Sequence, residues 1–205
     1  MSRCNETGFT KRYLTRPPRI RKRINTANKH GGEKEINKIQ KSQRYAQPAQ
    51  LFWNAGNTRS GCFATVSADI CGPDLFKPIV GRGCAFADID GDGDLDVLLT
   101  QVGGAPLLLR NDQALGHHWL RLKLTGNKSN RDAIGARVNV KLGGLTLSRD
   151  VMPTRGYLSQ SELPVTVGLG TAASPDEVEI IWPGGDRQKV ETPKVDATTV
   201  VTEAH

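Results

Sequence analysis

Five aspartates within nine residues, Asp88-Ile89-Asp90-Gly91-Asp92-Gly93-Asp94-Leu95-Asp96, constrain this chain more than any other feature. Carboxylates packed so closely repel one another strongly unless a cation compensates them. The run fits D-x-D-x-D-G-x-x-D. Carboxylates at alternate positions let a tight loop turn several oxygens inward, and Gly93 permits the sharp bend. Calcium, a hard cation that takes about six to eight oxygen ligands, is the expected ion. Magnesium, or an acidic turn that binds nothing, is the alternative. Side-chain ligation is assigned to Asp88, Asp90, Asp92 and Asp96, and Asp94 is expected to offer its backbone carbonyl. Water completes the shell. Such a loop cannot stay compact with its charges uncompensated, so ion binding and local folding are expected to be coupled.

The flanks decide what kind of loop this is. An EF-hand needs an acidic residue at loop position 12 and helices on either side. Counted from Asp88 that position is Leu99, inside an apolar run, and Ala85-Phe86-Ala87 and Val97-Leu98-Leu99 both read as strand. The site is therefore expected between two β-strands.

The rest of the chain reads as short strands and turns. Before the loop, strands are expected at 50–53 and 63–66, with a turn at Asn54-Ala55-Gly56-Asn57 and a loop marked by Pro73 and Pro78. Strands at 84–87, 95–101 and 107–110 surround the aspartates. Leu51-Phe52-Trp53-Asn54 aligns with Leu108-Leu109-Arg110-Asn111 at an offset of 57 residues, a spacing that suits one blade of a β-propeller. After Gly116 the pattern changes. Trp119-Leu-Arg-Leu-Lys-Leu124 alternates, placing Leu120, Leu122 and Leu124 on one face and Arg121 and Lys123 on the other. Further strands are expected at 137–142, 145–151, 165–169, 178–182, 189–191 and 198–202, with turns at Gly143-Gly144 and Pro183-Gly184-Gly185. The fold class is all-β: partial propeller blades with a calcium loop, then a small antiparallel sandwich or barrel. The expected parts are a tail over 1–44, a blade region over 45–115 and a C-terminal β domain over 116–205.

The net charge of +7 belongs to the tail. Residues 1–45 hold 13 Lys and Arg against 3 Asp and Glu, whereas residues 46–205 hold 15 against 18. The tail, with Arg16-Pro17-Pro18-Arg19-Ile20-Arg21-Lys22-Arg23, reads as a solvated, disordered segment, apart from a short helical turn within 33–43. A nucleic-acid partner is disfavoured, because no aromatics are interleaved to stack on bases. No stretch approaches the roughly 20 apolar residues of a membrane span. As written, the N-terminus has no apolar core of a signal peptide. Cys4, Cys62, Cys71 and Cys84 contain no C-x-x-C pair, which argues against zinc. Cys62 and Cys71 either bridge a small loop or stay free.

Two regions resemble known families. Residues 81–112, with Gly81-Arg-Gly-Cys-Ala-Phe-Ala-Asp88 leading into the aspartates, resemble an FG-GAP/VCBS repeat, the integrin-α-like propeller blade. That resemblance implies calcium on Asp88, Asp90, Asp92 and Asp96. Residues 127–184 resemble the ASPIC/UnbV domain, through Asn127-Lys-Ser-Asn130-Arg-Asp-Ala-Ile-Gly135-Ala-Arg-Val138, Arg155-Gly-Tyr-Leu-Ser-Gln160-Ser, Gly168-Leu-Gly170 and Trp182-Pro-Gly-Gly185. Together they are similar to the C-terminal end of cartilage-acidic-protein-like proteins. The resemblance implies secretion, a many-bladed propeller ahead of this region, and an unidentified protein or glycan ligand. One blade cannot close a propeller, so a fragment of a larger protein is expected.

Other groups offer less chemistry. Ser159 and Ser161 lack a G-x-S-x-G elbow. His117 and His118, adjacent on a strand, point apart and are expected at a linker surface. Arg131, Asp132 and Arg155 are expected to hold loops by hydrogen bonds, with a binding surface as the alternative. Trp182 is expected to pack in the core. Asn127-Lys-Ser129 is a glycosylation sequon. The functional expectation is a non-catalytic calcium-binding module for extracytoplasmic binding or adhesion. The alternatives are an enzyme domain with a structural calcium and an unidentified active site, or a truncated piece with no function of its own.

Overall fold

The structure, a computed structural model, describes residues 20–23, 45–58, 61–112 and 115–205, with backbone alone at 20–23, 55–58, 61 and 62. The fold is nearly all β, as the turn-punctuated sequence predicts. The chain divides into two compact units. One runs through Cys84 and resumes over Asp96–Gln113; the other comprises Ala85–Leu95 and Ala114–His205.

The first unit contains a four-stranded sheet in the order β1-β6-β5-β4, built from β1 (Ile20–Arg23), β4 (Gly81–Ala87), β5 (Asp96–Gln101) and β6 (Leu107–Asn111). The hairpin of β2 (Leu51–Thr58) and β3 (Gly61–Val66) forms a separate two-stranded sheet. Leu99 on β5 and Leu107 and Leu109 on β6 bury themselves with Cys71 and Leu75. Leu99 is thus a core strand residue, in keeping with a strand–loop–strand site.

Several local expectations change. The stretch 54–57, read as a turn, belongs to β2, which runs to Thr58 with a register shift after Asn54; a bulge absorbs the turn-like residues. The loop after Val66 contains a one-turn helix, α1 (Ala68–Cys71), and a 3₁₀ turn at Asp74–Phe76. Both are too short to leave a periodic signal. Cys71 is buried and its free thiol donates to Ser67 O at 3.6 Å, so the Cys62–Cys71 bridge is not formed. The expected tail and the helical turn at 33–43 lie outside the described residues, except that Ile20–Arg23 is a strand antiparallel to β6, Ile20 opposite Asn111. An unpaired sheet edge is a ready template for such a segment.

The second unit is a two-sheet sandwich. One sheet has the order β10-β7-β13, from β7 (His118–Thr125), β10 (Val165–Gly170) and β13 (Thr198–Thr202). The other has the order β12-β11-β8-β9, from β8 (Arg137–Leu142), β9 (Leu145–Asp150), β11 (Glu177–Ile181) and β12 (Arg187–Lys189). Alternation builds the core between them. Leu120, Leu122 and Leu124 meet Val165, Val167 and Leu169 from one sheet and Val138, Val140, Val178 and Ile180 from the other. The far face of the second sheet carries cross-strand ion pairs such as Lys141–Glu177 at 2.9 Å and Arg137–Asp150 at 2.7 Å, exposed pairs of small energetic value. The domain is largely antiparallel, as expected, with β13, which pairs parallel to β7, as the exception. The long connection through β11 and β12 of the second sheet gives β13 the crossover that a parallel neighbour needs. Among the described residues no sheet closes into a barrel.

One carboxylate fastens this unit's end. Glu203 is buried, and its Oε2 accepts from Asn127 N, Lys128 N and Ser129 N at 2.8, 2.8 and 2.7 Å, while Ser129 Oγ donates to Oε1 at 2.9 Å. Burial pushes its pKa up, but the donors from Ser129, Asn127 and Lys128 outweigh that and hold it at about 2, below the ordinary 4.5. Its contribution to stability is therefore complete above about pH 4.5 and lost as pH falls towards 2. Wild-type melting midpoints should fall across that window, and Glu203→Gln, already neutral, should show a shallower fall. Circular-dichroism melts at stepped pH decide it; equally steep curves would refute the assignment.

Candidate metal centre

The loop between β4 and β5 is folded around the first aspartate. Asp88 Oδ1 accepts from Gly91 N at 2.8 Å and Oδ2 from Gly93 N at 3.2 Å. Gly91 and Gly93 stand at φ of +80° and +92°, the left-handed region that glycine enters without a Cβ penalty. Asp92 Oδ1 accepts from Asp94 N at 2.9 Å, a second small turn within the first. Asp96 begins β5 as a buried carboxylate whose Oδ1 accepts from Asn111 N at 2.8 Å.

The result is a convergence of three carboxylates. Asp88, Asp90 and Asp96 each bring one oxygen to within 4.8 Å of the others. Two oxygens on opposite sides of one calcium, each at roughly 2.3–2.6 Å, stand about that far apart. The donors are hard oxygens with no nitrogen or sulfur among them, so the set fits calcium and suits zinc or copper poorly. The side chain of Asp92 does not join this group, nor does that of Asp94, expected to offer its backbone carbonyl instead. Asp92 instead spends one oxygen on the turn. Among the described residues no other set of three or more such side chains converges.

The sandwich grips this loop through residues that sequence reasoning did not assign to it. Arg121, which the alternation places with Lys123 on the face opposite the leucines, is buried: its Nη1 donates to Asp88 Oδ2 at 3.0 Å and to Thr166 Oγ1 at 3.2 Å. Its Nη2 donates to Glu162 Oε2. The alternation of β7 is intact, but segment 85–95 covers what would be its solvent face. Trp119, two residues earlier on that face, lays its indole against Gly93; a Cβ there would lie 2.2 Å from Nε1. The backbone is tied as well, with Phe86 N donating to Ser161 Oγ at 3.1 Å and Glu162 N to Phe86 O at 3.0 Å.

The remaining candidates hold structure. His118 Nδ1 lies 2.6 Å from Asp196 Oδ2, and Asp196 Oδ1 accepts from Trp119 N at 3.0 Å. The hydrogen bond from His118, followed by that from Trp119 N, lowers the Asp196 pKa. Arg155 donates through Nε to Met152 O at 2.8 Å and through Nη2 to Asp150 O at 2.9 Å, holding its loop as expected. Arg131 and Asp132 are exposed. Ser159 Oγ donates to Tyr157 O at 2.8 Å. The sequon lies in the Glu203 cradle, where Asn127 Nδ2 donates to His205 Nδ1 at 3.0 Å.

Part of the chain is similar to known proteins. Residues 126–205 match the family model described as ASPIC and UnbV. This is the region that the Asn127-to-Val138, Arg155-to-Ser161 and Trp182-to-Gly185 motifs single out. Over 110 residues, 51% of the chain, it is 34% identical to cartilage acidic protein 1 of Xenopus tropicalis, Mus musculus and Homo sapiens. Those residues cover 16% of the frog and human proteins and 17% of the mouse protein, so the chain spans about a sixth of the length of these relatives. The ASPIC/UnbV region holds most of the sandwich, and Arg121 and Glu162 reach the aspartate loop from either side of its first residue.

Proposed function

We propose that this chain is a non-catalytic, calcium-stabilised module that serves extracytoplasmic binding or adhesion as part of a longer propeller protein. The convergence of Asp88, Asp90 and Asp96 carries the calcium reading. Asp96 and the Asp88 side chain are almost fully shielded from water, at 2% and 1% exposure, where closely spaced carboxylates call for a cation. In the FG-GAP/VCBS resemblance the ion fastens a propeller blade, which fits a loop tied at both flanks to strands. Similarity to cartilage acidic protein 1 supports an extracytoplasmic setting, and coverage of a sixth of its length supports a larger assembly. Among the described residues no helix is long and apolar enough to cross a membrane. The partner is a protein or a glycan, and a glycan and protein array with no ligand would count against the adhesion role.

The calcium reading has a direct test. At a free calcium concentration one hundred times Kd, mass action adds about 2.7 kcal/mol to stability. The thermal midpoint should therefore rise between chelator and saturating calcium. Asp90→Ala should abolish the rise, and because Asp90 is exposed its loss opens no cavity. An unchanged wild-type midpoint in saturating calcium would sink the reading.

A further inference from the structure

The ion trio at the loop's inner side is one positive charge short. Arg121 alone faces two carboxylates, Asp88 and Glu162, and all three side chains are largely buried, at 10%, 1% and 16% exposure. Asp88 Oδ2 is shared between Gly93 N and the guanidinium. Glu162 Oε1 is buried and accepts no hydrogen bond among the described residues, so this carboxylate keeps an acceptor in reserve. We infer that Arg121 is a built-in counter-cation that competes with a bound metal ion for Asp88, and that Glu162 takes up the guanidinium when the ion is present.

Without the ion, Arg121 neutralises Asp88 and holds the loop against β7. A dication held by the Asp88 carboxylate draws on its charge and repels the guanidinium. Glu162 anchors Arg121 within reach of both positions, and its own backbone N–H on Phe86 O fixes it beside the loop. Linkage makes the competition reciprocal: whatever strengthens the Arg121–Asp88 pair weakens ion binding by the same factor. The sandwich thereby sets the ion affinity of a loop it does not itself encode.

This inference rests on the calcium reading, and calorimetry separates the two. Calcium is titrated into the chelator-treated full chain as wild type, Arg121→Gln, Glu162→Gln and Lys123→Gln. Arg121→Gln should bind calcium about tenfold more tightly and Glu162→Gln about tenfold more weakly. Lys123, exposed on the same strand, controls for the general field, and its variant should stay within about twofold. Quenching of Trp119, whose indole lies on the loop, gives a second readout. An arginine with a purely structural role would weaken binding when removed, so weaker or unchanged affinity in Arg121→Gln overturns the proposal. If that variant does not fold, Glu162→Gln decides by the same rule, with unchanged or tighter affinity overturning it. No calcium heat in wild type overturns the calcium reading and the competition together.

Discussion

Trp182→Ala is expected to destabilise the C-terminal sandwich by about 3–5 kcal/mol, the usual loss for a fully buried aromatic. Trp182 is 2% exposed and is the largest of the fully buried side chains. It sits where β11 ends, and its backbone closes the following turn: Trp182 N donates to Asp186 O and Gly185 N to Trp182 O, both at 2.8 Å. Its indole Nε1 donates to Gln188 Oε1 at 2.9 Å. Gln188 in turn accepts from Ala204 N at 3.0 Å and donates to Thr202 O at 3.0 Å, so the indole orients a side chain that ties β12 to the end of β13. Removing the ring leaves a cavity between the sheets and frees that tie. Trp182→Phe fills most of the volume and loses only the N–H, so it should cost clearly less. Urea denaturation of both variants measures the difference. A Trp182→Ala loss below about 1 kcal/mol would show that the sheets close over the gap.

Much of this architecture is legible because its cause is local. The alternation from Leu120 to Leu124 places a core face, and the expected strands at 137–142 and 198–202 coincide with β8 and β13. Leu99 excludes an EF-hand from the sequence alone. What escaped depends on partners distant along the chain. Arg121 looks like a surface residue because nothing within β7 reveals that a segment 33 residues earlier lies over it. Glu203 meets three backbone amides, and amides leave no mark in a sequence. The aspartate spacing names the candidate ligands, but which carboxylates converge depends on turns: Asp92 is drawn into one, and Asp96 is set by its start on β5. The direction of β13 is likewise invisible in its alternation, which is the same for parallel and antiparallel neighbours.

Gly93→Ala is expected to cost about 2–4 kcal/mol, more than Gly91→Ala in the same loop. Both glycines hold left-handed backbone, φ +92° and +80°, which an alanine adopts at about 1–2 kcal/mol. They differ in surroundings. An added Cβ at Gly91 meets nothing within 4 Å, whereas at Gly93 it falls 2.2 Å from Nε1 and 2.3 Å from Cδ1 and Cε2 of Trp119. Trp119 starts into β7 with its backbone N held by Asp196, so the ring can give way only by rotating about its own side-chain bonds. The excess of Gly93→Ala over Gly91→Ala therefore measures the Trp119 contact, and denaturant unfolding in chelator should report it free of any ion. The double variant Gly93→Ala/Trp119→Ala should recover that excess and no more, because the backbone strain remains. Equal losses in the two single variants would mean that the indole does not press on the loop. The same substitution moves the Gly93 amide off Asp88 Oδ2, which it reaches at 3.2 Å. Asp88 then loses one of the donors that aim it towards Asp90 and Asp96, so Gly93→Ala should also shrink the calcium-induced rise in midpoint. A variant that is destabilised yet keeps the full rise would show that Gly91 N is enough to aim Asp88.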